Sequence, residues 1–91
     1  MIEFEVKVPW VNGLCMRRAI EIAKLVQAYP QVDCFLKTKG GKKASGHAIT
    51  ELMQLASMKD EYLIISLNTY NGDNKNFAIA LEQELKKMFK K

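Results

Sequence analysis

The residues able to do chemistry crowd into one stretch, Asn12-Gly-Leu-Cys-Met-Arg-Arg18, which places a thiol beside two guanidinium groups. Gly13 permits backbone angles that a β-carbon penalises, so a sharp turn is easy there. Leu14 anchors the turn, and Cys15 falls at or next to the first position of the helix that follows. The free N–H groups of a helix's first turn point outward and attract anions. Arg17 and Arg18 add two positive charges within that turn. Asn12, Arg17 and Arg18 are therefore the candidate anion-binding residues, and Cys15 with Arg17 is the candidate reactive pair. A helix N-terminus and neighbouring cations both favour the thiolate, the reactive form of cysteine.

No other cluster competes with this one. The two cysteines, Cys15 and Cys34, lack metal-ligand spacing, and the single histidine, His47, cannot complete a zinc site. Neither a metal nor a cofactor is expected. The cysteines read as separate reduced thiols, with one disulfide as the alternative. Cys34 belongs to a strand face and reads as core, and His47 as solvated surface. A net charge of +4 arises from 14 basic and 10 acidic residues. The basic residues gather at Lys37, Lys39, Lys42 and Lys43 and at Lys87, Lys90 and Lys91, without aromatic residues interleaved among them. Direct nucleic-acid binding is therefore not expected. Apolar stretches are only a few residues long, and no basic leader followed by an apolar run is visible. A cytoplasmic setting without membrane insertion is the expectation.

The elements that must position the motif follow from hydrophobic period. Ninety-one residues, 48% of them hydrophobic, make one domain, 1–91. Ile2 to Val8 alternates strictly, with Ile2, Phe4, Val6 and Val8 on one face, which predicts a half-buried strand ended by Pro9. Pro9 to Gly13 is a loop that includes Trp10. Ala19, Ile22, Ala23, Val26 and Tyr29 share a helical stripe over 16–29, and Ile20 falls beside it, on the side of Arg17 and Lys24. Val32 to Lys37 and 42–45 read as a hairpin around Gly40-Gly41. A short helix is predicted over 48–56 and an apolar central strand over 62–67. The final helix carries Phe77, Ala78, Leu81, Leu85 and Met88 inward, with Asp73 or Asn74 as its cap. The order βαββαβα implies an α+β fold: an open-faced β-sandwich, in which three helices cover one face of a four-stranded, mainly antiparallel sheet.

The chain resembles HPr, the histidine-containing phosphocarrier of the bacterial phosphoenolpyruvate-dependent sugar phosphotransferase system. Asn12-Gly-Leu-Cys-Met-Arg-Arg-Ala19 is similar to that family's Asn-Gly-Leu-His-x-Arg-Pro-Ala, and the element order matches along the whole chain. Gly41-Lys-Lys-Ala-Ser-Gly-His-Ala-Ile49 resembles, less specifically, the hairpin leading to the family's regulatory helix. The departures bear on function. Cys15 stands where the family keeps its phosphorylated histidine, Arg18 where it keeps a proline, and Ala48 where some members carry a regulatory serine. Phosphohistidine carriage is thus ruled out at position 15.

The resemblance also implies a docking surface between the starts of the two helices, formed here by Met16, Ile20, Ile49 and Met53. It implies partners among phosphotransferase proteins or a transcriptional regulator. Some relatives lack the histidine and regulate carbon use, although they keep the serine that is absent here. The reading is therefore a docking or regulatory paralogue, a carrier-like protein rather than a catalyst. Cys15 admits three roles: an inert replacement, a phosphoryl acceptor, or a redox or persulfide-forming thiol.

Overall fold

In a computed structural model, which describes residues 1–90, the alternating N-terminal segment forms β1 (Ile2–Lys7). The helical stripe forms α1 (Met16–Gln27), and the hairpin is β2 (Val32–Thr38) with β3 (Lys43–Ser45). A short helix α2 (Ile49–Gln54), the central strand β4 (Tyr62–Thr69), a 3₁₀ turn (Gly72–Asn74) and α3 (Lys75–Met88) complete the chain. Of the C-terminal lysines, Lys91 lies outside the described residues.

The strands lie in the order β1-β4-β2-β3, and every neighbouring pair is antiparallel. Phe4 pairs with Ile65, and Ile65 in turn with Leu36, so inward residues meet in a row across the sheet. They pack under the helices with Ala19, Ile22 and Val26 of α1, Leu52 of α2, and Ala78, Leu81 and Leu85 of α3. The fold is the α+β open sandwich that the period of the sequence implies. Among the described residues no helix is long and apolar enough to cross a membrane.

Several local features depart from expectation. Helix α2 is shorter than 48–56, because Leu55 closes it and Ala56 turns into the left-handed region at φ 53°. Phe77 is exposed: Ala78, Leu81 and Leu85 define the buried stripe, and Phe77 is rotated about 100° from Ala78. Neither Asp73 nor Asn74 caps α3 through its side chain. Asn71 does the capping one turn earlier, where its Oδ1 accepts the N–H of Asp73 at 2.9 Å. The open face of the sheet does bring cations onto aromatic rings. The Nζ of Lys43 lies 4.5 Å from the Phe35 ring centre, and that of Lys39 lies 4.8 Å from that of Tyr62. The first is a cross-strand pair and the second reaches β4 from the turn after β2; no local spacing announces either. Lys39 also pairs with Glu5 at 3.5 Å, so this face carries both signs of charge.

Antiparallel packing of α1 and α2 follows from two close approaches. The N–H of Leu14, just before α1, donates to the carbonyl of Ser57, just after α2, at 2.8 Å. Gly46, before α2, lies so near Val26, late in α1, that an added Cβ would come within 3.1 Å of its Cγ2. The start of α1 therefore meets the end of α2.

Candidate thiol cleft at the start of α1

Gly13 adopts φ +68°, and its N–H returns to the Trp10 carbonyl at 2.9 Å. That turn delivers the chain to Cys15, the N-cap of α1, in an extended conformation (φ −85°, ψ 178°). The Cys15 carbonyl accepts the N–H of Ala19 at 2.9 Å, the first bond of the helix. Cys15 is half-buried, with Met16 and Arg17 exposed after it and Arg18 partly covered. Asn12, Cys15, Arg17 and Arg18 line a single cleft of about 280 Å³ with Pro9, Trp10, Val11 and Gly13. A larger cleft of about 530 Å³ runs between Thr38–Lys42 and Leu55–Ser57; it contains neither cysteine nor either arginine.

Electrostatics distinguish the two thiols, both of which are free. The neutral Cys15 side chain makes no capping hydrogen bond. Its ionised form is favoured nonetheless. The backbone N–H of Arg18 has the largest part in lowering the Cys15 pKa below the ordinary 9.0. The N–H groups of Arg17 and Cys15 and the Arg18 charge act in the same direction, and partial burial opposes them. Cys34 is the reverse case, where burial pushes the thiol up to about 12. Folding therefore favours the Cys15 thiolate. Any stability it contributes is present above the unfolded value near 9.0 and is lost as pH falls through the lower folded value.

The same contrast sets an expected result for alkylation. Iodoacetamide should modify Cys15 alone in the native chain, with the midpoint of the rate–pH profile below 9.0, and reach Cys34 only after unfolding. Intact-mass time courses over a pH series measure both. A midpoint at or above 9.0 would remove the influence of the first-turn amides.

The sequence motif did not foretell how its charges are held. Arg18 Nη1 donates to both carboxylate oxygens of Glu21 at 3.3 Å, and Arg17 Nε lies 3.6 Å from the same Oε1. The Arg18 guanidinium also lies over the Trp10 ring, 5.0 Å from its centre. Trp10 is buried and packs on Phe89 with ring centres 4.9 Å apart. The motif singles out neither Glu21 nor Trp10. Glu21 was legible, since positions three and four apart are neighbours on a helix. The Trp10–Phe89 contact spans almost the whole chain and left no local signal.

The docking candidates lie outside the cleft. Met16 is 57% exposed, Ile49 37% and Met53 38%, whereas Ile20 is half-buried. Because α1 and α2 are antiparallel, these residues do not sit between two helix starts. Met53, near the end of α2, lies toward Met16, and Ile49 lies toward the far end of α1. Met58, which the sequence did not single out, is 60% exposed, and its Cα would be 3.1 Å from a Cβ placed on Gly13. His47 is exposed, with Nδ1 2.9 Å from Ser45 Oγ, and follows Gly46 at the Val26 end of α1.

Comparison with known proteins draws on this whole frame. HPr-C-His from Thermoanaerobacter tengcongensis superposes with a TM-score of 0.76 at 20% identity, covering 100% of this chain and 98% of that one. The phosphocarrier protein HPr from Bacillus anthracis str. Ames gives a TM-score of 0.71 at 24% identity, covering 88% of this chain and 90% of that one. These likenesses show the fold. No curated protein sequence matches the chain. The family model described as the PTS HPr component phosphorylation site matches residues 2–87. With nearly every element inside that match, the chain belongs to the PTS HPr family.

Proposed function

We propose that the chain is a docking and regulatory member of the HPr family, which engages phosphotransferase proteins or a transcriptional regulator in the cytoplasm without carrying phosphohistidine. The observation that carries this reading is the side chain at position 15. Sulfur stands there in place of the family's imidazole, and the only histidine, His47, faces solvent at the other end of α1. What remains of the family surface is its capacity to bind. Met16, Ile49 and Met53 keep apolar area in water, and Ile20 lies partly covered beside them. Methionine adapts readily to a partner's contours.

The test is binding to the upstream phosphotransferase enzyme by calorimetry. Met53→Glu is expected to weaken the complex about tenfold, the effect of losing one well-placed contact, while the thermal midpoint stays close to that of the parent. No measurable complex with that enzyme, or a Met53→Glu variant that binds as well as the parent, would sink the docking role in the phosphotransferase system.

The lowered pKa of Cys15 favours a second reading, phosphoryl transfer through sulfur. In that step the thiolate Sγ attacks phosphorus on a donor phosphohistidine. The S–P bond forms as the P–N bond breaks, and the departing imidazole takes up a proton. Arg17 and the first-turn amides face the phosphoryl oxygens. Incubation with phosphoenolpyruvate and the upstream enzyme, followed by intact mass, tests it. A phosphate adduct that disappears in Cys15→Ser supports transfer, and an unmodified mass with binding intact supports docking alone.

A further inference from the structure

Glu21 occupies the position of a competing anion. It follows Arg17 by four residues and Arg18 by three, so one carboxylate on α1 meets both guanidinium groups. Its oxygens take Arg18 at 3.3 Å and Arg17 at 3.6 Å. Arg18 lines two clefts at once. On one side are Cys15, Trp10 and Arg17; on the other, between α1 and α3, are Glu21, Leu25 and Glu84. Glu21 thus holds Arg18 from the side away from the thiol. Trp10 braces the same guanidinium, and the buried Trp10 Nε1–H, a donor in a residue lining the thiol cleft, has no partner.

We propose that Glu21 is a specificity-determining residue of the cleft, a counter-anion just outside it that competes with a phosphate group for the two arginines. The inference rests on the cleft admitting an anion, the second reading above. Charge arithmetic then sets the selectivity. A monoanion exchanges one negative charge for another and gains little. A dianionic phosphate brings a second charge to two guanidinium groups and wins the exchange. The cleft therefore selects dianionic phosphate groups over monoanions.

The experiment titrates inorganic phosphate at about pH 8, where the dianion dominates, at fixed ionic strength, in a Cys15→Ser parent that carries no competing thiolate. The amide shifts of residues 15, 17 and 18 are followed in that parent and after adding Glu21→Gln or Glu84→Gln to it. Glu84 pairs with Lys87 at 3.7 Å, so its loss removes one negative charge without freeing either arginine. Glu21→Gln is expected to tighten phosphate binding about fivefold and Glu84→Gln less than about twofold. Dimethyl phosphate, a monoanion, is expected to bind Glu21→Gln measurably and the parent hardly at all. Equal phosphate affinity in the parent and Glu21→Gln overturns the inference and leaves the anion reading standing. Equal tightening in both variants reduces the effect to net charge and overturns it too. Shifts in none of the three proteins overturn the anion reading and the inference together.

Discussion

Replacing Gly13 with alanine is expected to lower the thermal midpoint by about 10–20 °C. Two independent costs add. The backbone at φ +68° lies in the left-handed region, where a β-carbon costs about 1–2 kcal/mol. The new methyl would also run into the backbone carbonyl of Ser57, with Met58 Cα only 3.1 Å away. Both neighbours are main chain and cannot rotate aside, and crowding of this kind costs about 1–3 kcal/mol. The Ser57 carbonyl is also the acceptor for Leu14 N–H, so relief of the clash lengthens the bond that ties α1 to the end of α2. Gly72→Ala is the control, because an added Cβ there meets nothing within 4 Å. Circular-dichroism melts of both variants decide the matter. A Gly13→Ala midpoint within about 4 °C of the parent would contradict the close approach.

Trp10→Ala is expected to cost about 3–5 kcal/mol in urea unfolding, the usual range for truncating a buried aromatic. The ring is 4% exposed and is held between Phe89 and Arg18. Its removal opens a void beneath the loop that leads to Cys15 and frees the Arg18 guanidinium from its stack. Trp10→Phe should behave differently. Phenylalanine keeps most of the packing and removes Nε1–H, a buried donor with no acceptor, whose desolvation works against folding. Its cost is expected to stay within about 1 kcal/mol. Equal losses in the two variants would show that Nε1–H makes a bond essential to the fold.

The frame of the molecule was readable because its signals are local. Strict alternation in β1 and the stripe Ala19, Ile22, Ala23 and Val26 in α1 each arise from residues a few positions apart; the α1 stripe is buried, and the β1 face turns inward with Val6 buried and Ile2 and Phe4 half-buried. Gly13 was readable for the same reason, since the turn it makes is a property of its own backbone. The details that failed depend on distant partners. Trp10 does lie in the loop that its surroundings imply, but its burial is unforeseen because its neighbour, Phe89, comes from the opposite end of the chain. Spacing alone places Phe77 in the core, but the direction of α3 over the sheet leaves it in water. The relation of the two docking helices needed the Leu14–Ser57 bond, which joins residues more than forty positions apart. The convergence of Asn12, Cys15, Arg17 and Arg18 on one cleft followed from their contiguity. The pairing of Arg17 and Arg18 with Glu21 needed the helix geometry to be drawn first.

The head-to-tail arrangement of α1 and α2 has a corollary for how the molecule would be handled by others. The Met58 backbone lies close to the Gly13 turn and Met16 follows Cys15 directly in the chain, so a visitor covering both methionines would reach the rim of the thiol cleft. Occupancy and sulfur reactivity would then meet at one edge. A protein bound there would slow small oxidants and alkylating agents on their way to the thiol, and a bulky group attached to that sulfur would crowd the same edge.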